Sequence, residues 1–249
     1  MNIDSAHLLR WILVETSHPG NAGSAARAMK TMGFQDLHLI KPKIQRITKE
    51  PEAIALASGA VDLLDSAIEH SSLGQSVEGY SLVLGLTSRD REFGPPALDW
   101  HSALSLISEN TQNQGKTALV FGPERTGLEN HHLSLCTHRV WLDANPDYPS
   151  LNLAQAIMVC AYTLRQVLQS PGIGDASKNR DSGVDLADPA AVTAMLEHWR
   201  EGLEAIGYLN PANPKKLMPR LEALFARSRL RKEEIDLLRG IAKQMLLRK

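Results

Sequence analysis

The chain reads as an α/β protein: a mainly parallel sheet with helices on both faces, followed by a small all-α module. Three observations carry that expectation. Short unbroken apolar runs recur between residues 11 and 142, as in parallel strands buried on both faces. Helix-forming stretches alternate with them. After a segment dense in turn formers, only helical stripes follow.

Trp11-Ile12-Leu13-Val14 is the first predicted strand. Asn21 to Met32, rich in Ala and Met, is the first helix, with Gly33 placed to close it. Leu37 to Ile40 is the next strand, and Ala53 to Leu64 reads as helical around Gly59. Further strands are expected at Ser81–Leu86, Ala118–Phe121 and Arg139–Leu142. Leu151 to Leu168 reads as a helix, with Leu153, Ile157, Cys160, Ala161, Leu164 and Leu168 on one face. Leu151, Ala154, Met158 and Tyr162 extend the apolar character around it, so burial on more than one side is expected. A layer between the sheet and another element is the first expectation, a subunit interface the alternative.

Residues 170–188 mix Ser, Pro, Gly, Asp and Asn without periodicity and read as a linker. Asp188 is placed to cap a helix with Pro189 in its first position. Val192, Met195, Leu196, Trp199, Leu203 and Ile206 form its stripe. Leu217, Leu221, Leu224 and Phe225 mark a second helix, and Ile235, Leu238, Ile241, Ala242 and Met245 a third. The expected division is therefore a sheet domain over 1–169, a linker over 170–188 and a helical extension over 189–249.

With 249 residues, 43% of them apolar, the chain can bury a large core. Two cysteines make neither a disulfide framework nor a multi-cysteine zinc site. Cys160 fits a buried structural thiol, and a reducing cytosol is expected. The amino-terminal residues lack a secretory pattern, and no apolar run spans a bilayer. The net charge of −1 hides an asymmetry: Lys215 to Lys249 carries eleven basic and four acidic side chains, a balance of +7 against −8 for the remainder. A basic end on an acidic chain suits a polyanion such as RNA, although solvated helix faces would look the same.

Three loops carry the chemistry. His18-Pro19-Gly20-Asn21-Ala22-Gly23-Ser24-Ala25-Ala26-Arg27, Phe121-Gly122-Pro123-Glu124-Arg125-Thr126-Gly127-Leu128 and Asn145-Pro146-Asp147-Tyr148-Pro149-Ser150-Leu151-Asn152-Leu153-Ala154 each follow an apolar run. Strand carboxyl ends share one edge of a parallel sheet, so these loops can meet in one composite site. Neither a dinucleotide G-x-G-x-x-G nor a Walker sequence is present, and there is no G-x-S-x-G elbow. Asn21 suits a sugar hydroxyl or a helix cap. Arg27, among alanines, can present a guanidinium fork to phosphate or lie on the surface. Glu124 is a site acid or a loop brace. Ser150 is the cap candidate for the following helix, placing Asn152 in its first turn. The adjacent His131-His132 pair lacks metal-ligand spacing.

Asn21 to Arg27, Phe121 to Leu128 and Ser150 to Ala154 together resemble the three motifs of the SPOUT superfamily, in its TrmH-like ribose methyltransferase branch. The likeness covers residues 9–168 well and the tail more weakly. It implies a carboxyl-terminal trefoil knot, which periodicity alone would never suggest. It also implies a homodimer, S-adenosylmethionine (AdoMet) as donor, tRNA as acceptor, and no metal or membrane. The implied reaction is 2′-O-methylation of a pyrimidine ribose at position 32 of the anticodon loop. Ribosomal RNA or another tRNA position is the alternative, as is a non-catalytic RNA-binding protein; a nucleotide-dependent oxidoreductase is disfavoured.

The resemblance assigns Asn21, Arg27, Glu124, Ser150 and Asn152 to the catalytic pocket. It assigns Leu86, Thr87, Ser88, Gly122, Glu124, Gly127, Leu142, Leu151 and Asn152 to the cofactor. The basic tail is the expected tRNA contact, through Lys215, Lys216, Arg220, Arg227, Arg229, Arg231 and Lys232. A guanidinium has no basic lone pair at neutral pH. Arg27 is therefore expected to fix the adjacent phosphate and stabilise alkoxide character, while the proton leaves through phosphate or water.

Overall fold

The computed structural model describes residues 3–88, 94–169, 186–228 and 230–247. Among them seven strands form one parallel sheet in the order β3-β2-β1-β6-β4-β7-β5. The strands are β1 (Leu9–Val14), β2 (Asp36–Ile40), β3 (Ile68–His70), β4 (Leu82–Leu86), β5 (Ala97–Asp99), β6 (Thr117–Phe121) and β7 (His138–Trp141). Five coincide with the apolar runs within two residues at either end. β3 and β5 have three residues each, too short and too polar for a periodic signal.

The helices are α1 (Pro19–Met32), α2 (Pro51–Ala57), α3 (Val61–Asp65), α4 (Leu73–Val77), α5 (Trp100–Gln112), α6 (Asn130–Leu133), α7 (Leu153–Gln169), α8 (Pro189–Ala205), α9 (Leu217–Arg227) and α10 (Lys232–Leu247). Gly33, at φ 87°, closes α1 in the left-handed conformation that glycine adopts freely. The single helix expected over 53–64 is instead α2 and α3 joined by a 3-10 turn, and Ser58 at the junction has φ 53°. Its backbone there cannot continue an α-helix, so composition alone overestimated the length.

Alternation along β1 divides the core between the two faces. Leu9, Trp11 and Leu13 face a cluster built with α1, α5 and α7, where Trp11 stacks on Phe121 at 5.9 Å. Ile12 and Val14 face the other, with Leu73, Val77, Leu128 and Leu133. Cys136 and Cys160 are free and buried, and burial pushes the Cys136 thiol up to about 12. A third cluster lies within α8, α9 and α10 around Met195, Leu203, Met218 and Ile235. The Asp188 side chain accepts a hydrogen bond from Ala191 N at 2.7 Å and caps α8. Most of the expected linker, residues 170–185, lies outside the described residues.

In α7 the buried residues are Leu153, Ile157, Cys160, Ala161, Leu164 and Leu168, the predicted face. The other apolar side is not covered among the described residues: Leu151, just before the helix, is 40% exposed, Met158 37%, Val159 41% and Tyr162 52%. The expectation of a second covering layer is thus corrected. The helix lies on the sheet domain by one face only, packed chiefly against α1.

Candidate active site

Parallel register brings the loops together. Leu13 of β1 and Leu86 of β4 both pair with Phe121 of β6, and Leu86 also pairs with Val140 of β7. The chain therefore leaves β1, β6, β4 and β7 side by side at one edge, although the loop after β1 lies more than a hundred residues from those after β6 and β7. The segment after β1 enters α1, that after β6 carries Glu124, and that after β7 leads into α7.

Glu124 is the hub. Its Oε1 accepts from Thr16 Oγ1 at 2.7 Å, Asn21 Nδ2 at 2.9 Å and His18 N at 3.4 Å. Its Oε2 accepts from Ser17 Oγ at 3.0 Å and Ser17 N at 3.2 Å. Partial burial raises the carboxyl pKa, but donors from Asn21, its own backbone, Thr16 and Ser17 outweigh that and hold it at about 2, against an ordinary 4.5. Glu124 is therefore an anion at neutral pH with its lone pairs engaged. It is a brace, unsuited to donating or accepting a proton in a reaction.

An ionised carboxylate only accepts, so it orients its neighbours in series. Asn21 must present its amide nitrogen to Glu124, which turns Asn21 Oδ1 toward Asn152 Nδ2 at 3.0 Å. Asn152 Oδ1 in turn accepts from Ala154 N at 2.9 Å and Gln155 N at 3.3 Å. Two of the orphan N–H groups that begin α7 are satisfied in this way. The cap of α7 is thus Asn152, not Ser150, and the helix starts at Leu153 rather than Leu151. Asn152 is not in the first turn; it ends the loop, where its amide can face across to α1.

The other expected catalytic residues lie around this chain of contacts. Ser150 is exposed in the loop before α7. Arg27 is exposed on α1, two turns beyond Asn21, and its guanidinium has no hydrogen-bond or ion-pair partner among the described residues. Thr16 and Ser17 were not singled out as site residues. The available signal was a pair of hydroxyls directly following an apolar strand; Thr16 is fully buried, which is costly unless its hydroxyl is bonded.

The expected cofactor residues occupy the same edge. Leu86 ends β4, and the Thr87 N–H donates to Val140 O at 2.9 Å; Ser88 is exposed. Gly122 lies where a Cβ would come within 2.3 Å of Leu128 N, so only glycine permits this loop to fold on itself. Gly127 has φ 64° and donates to Pro123 O at 2.8 Å. Leu142 is half-buried just past β7, and Leu151 is exposed. Apolar walls beside folded-back main chain suit a nucleoside, which needs a greasy slot and a few backbone hydrogen bonds.

The tail residues fall into two groups at opposite ends of α9. Lys215, Lys216 and Arg220 lie at its start; Arg227, Arg231 and Lys232 lie at the turn into α10. All six are exposed. Arg229 lies outside the described residues. Arg231 is 3.9 Å from Glu233, and Arg227 Nε donates to Ala223 O at 3.2 Å.

A sheet with this edge geometry is shared with known proteins. Residues 9–162 match the SpoU rRNA Methylase family, and the chain belongs to that family of methylases. Residues 190–249 match the C-terminal domain of the tRNA methyltransferase TrmJ. The chain is 38% identical over 238 residues to the tRNA (cytidine/uridine/adenosine-2′-O-)-methyltransferase TrmJ of Pseudomonas aeruginosa, covering 94% of this chain and 91% of that protein. It is 39% identical over 235 residues to the tRNA (cytidine/uridine-2′-O-)-methyltransferase TrmJ of Salmonella typhimurium, with 94% of each covered. The crystal structure of TrmJ from Z. mobilis superposes with a TM-score of 0.78 at 30% identity, covering 95% of this chain and 98% of that one.

Proposed function

We propose that this protein methylates a ribose 2′-oxygen in tRNA, with AdoMet as donor and a pyrimidine at position 32 of the anticodon loop as target. The observation that carries the reading is the Glu124–Asn21–Asn152 chain, assembled from three separated segments at one edge of the sheet. The TrmJ relatives match along nearly the whole chain, which favours tRNA over ribosomal RNA.

AdoMet supplies an electrophilic methyl carbon on a sulfonium. Leu86, Leu142, Leu151 and the main chain of Thr87, Ser88, Gly122 and Gly127 would hold it. The residues of this chain then do two things. Glu124 locks the two asparagines in one amide orientation, so that they meet the acceptor nucleotide without reorganising. Arg27, exposed and without a hydrogen-bond partner among the described residues, binds the phosphate beside the acceptor ribose and steadies negative charge on its oxygen. Ser150 lies exposed in the same loop as Asn152. As the new carbon–oxygen bond forms and the carbon–sulfur bond breaks, the hydroxyl proton leaves to phosphate or water, since neither Arg27 nor the engaged Glu124 is a base.

The exposed apolar side of α7 supports a homodimer, because Met158, Val159 and Tyr162 together form a surface that a second copy would cover. Threading of α7 through a trefoil knot and a cytoplasmic location belong to the same reading. The basic ends of α9 would add phosphate contacts. The deciding experiment is methyl transfer from labelled AdoMet to bulk tRNA and to ribosomal RNA, with the modified ribose mapped. Label in tRNA at position 32 is expected. Label only in ribosomal RNA, or none in either, would overturn the proposal.

A further inference from the structure

The segment between β2 and α2 has no part in the reading above, yet it crosses the same edge. It runs Lys41-Pro42-Lys43-Ile44-Gln45-Arg46, and three of its six residues are cationic. Its middle is pinned to the site. Lys43 N donates to Thr16 O at 3.0 Å, and Thr16 is the residue whose hydroxyl holds Glu124. The Lys43 ammonium is paired with the Glu15 carboxylate.

The segment starts beside α6, where the Lys41 charge helps keep His132 neutral after burial and His131. It ends in the 3-10 turn Ile47–Lys49, which packs against α1 and α2. It is a strap across the carboxyl edge from one helical layer to the other.

Two features of the strap lack a structural explanation. Lys41 and Arg46 are both exposed, and their side chains make no hydrogen bond or ion pair among the described residues. Both also have left-handed backbone, φ 44° and φ 56°, where Gly or Asn would be less strained. Long cationic side chains gain nothing in such a place from the fold alone. The pinned backbone aims them away from the protein, next to the loop that begins the active site.

We infer that Lys41 and Arg46 form a phosphate clamp for the RNA strand flanking the acceptor nucleotide, separate from the basic tail. The inference rests on the RNA-modifying reading of the site. A clamp on rigid, hydrogen-bonded backbone orients the strand, whereas the tail adds affinity at a distance.

The left-handed backbone dictates the test. Lys41→Asn with Arg46→Asn removes both charges while keeping residues that tolerate this conformation. In the full-length chain we expect unchanged thermal stability and unchanged AdoMet affinity. Affinity for a tRNA transcript should fall about tenfold at 0.15 M salt, and the slope of log affinity against log salt should become shallower by about 1.4, two single-strand phosphate contacts. Exchanging the cations, Lys41→Arg with Arg46→Lys, should restore both.

A double Asn variant that binds tRNA with wild-type affinity and slope would overturn the clamp while leaving the methylation proposal standing. Loss of AdoMet affinity in parallel would also overturn it, in favour of a cofactor or folding role. A wild-type protein that neither binds nor methylates RNA would remove both readings together.

Discussion

Replacing Glu124 with Gln tests the brace directly, because shape is retained while the charge is lost. The carboxylate accepts five hydrogen bonds from four residues. In the amide, one oxygen becomes a donor. The lowest-energy choice keeps an oxygen toward Thr16, His18 and Asn21 and turns the NH₂ toward Ser17. The Ser17 hydroxyl can rotate to accept, but the Ser17 N–H cannot. A donor left facing a donor, with charge assistance lost elsewhere, costs about 1–3 kcal/mol.

The titration gives an independent bound. A carboxyl held at about 2 instead of 4.5 corresponds to at most about 3.4 kcal/mol, and solvent around a half-buried group reduces this to about 1–2 kcal/mol. The sign follows from the lowered value: the contribution is complete above pH 4.5 and is lost as the pH falls toward 2. Urea unfolding should therefore show Glu124→Gln less stable than wild type by about 1–2 kcal/mol at pH 7, with the gap roughly halved at pH 3. The amide oxygen still accepts from Asn21, but without the charge it holds Asn21 in that orientation less firmly. About 2 kcal/mol of lost orientation lowers methyl transfer about 30-fold. Equal unfolding midpoints at pH 7, together with kcat/KM within twofold of wild type, would refute the brace.

Asn152→Ala should lose the α7 cap, about 1 kcal/mol, and lower methyl transfer more than tenfold; Asn152→Asp should keep the cap but still lose activity, since a carboxylate would face Asn21 Oδ1. Equal activity of the Asp variant would show that the cap alone matters. Arg27→Lys should leave the melting temperature unchanged, because the guanidinium makes no hydrogen bond or ion pair among the described residues, but should reduce transfer at least tenfold if a two-pronged phosphate contact is required; near-normal transfer would count against it. Gly23→Ala places a Cβ about 2.1 Å from the Ala53 carbonyl oxygen where α1 meets α2, so calorimetry should show a loss of about 2–3 kcal/mol, a fall of about 5–10 °C. An unchanged melting temperature would mean that the two helices separate freely.

Strands β1, β2, β4, β6 and β7 were legible because each is a short apolar run flanked by turn formers, and burial on both sheet faces requires that pattern. The buried face of α7 was legible from spacing alone. Where α7 begins was not, because Ser150 and Asn152 are both good caps; the choice fell to Asn152, whose side chain also meets Asn21. The split of 53–64 into two helices was hidden because Ser58 has no local reason to take a positive φ.

Composition and spacing determined the α/β class, the three polar loops, the separate helical stripes and the basic end, since these depend on periodicity and on residue chemistry within a few positions. Tertiary structure alone decided that Glu124 is a fully engaged anion rather than an acid, that Thr16 and Ser17 are the donors that engage it, and that the segment bearing Lys41 and Arg46 is pinned to Thr16. The contacts around Glu124 are hydrogen bonds between residues as much as 108 positions apart. Such contacts exist only once parallel register has aligned the strand ends, and no local pattern encodes them.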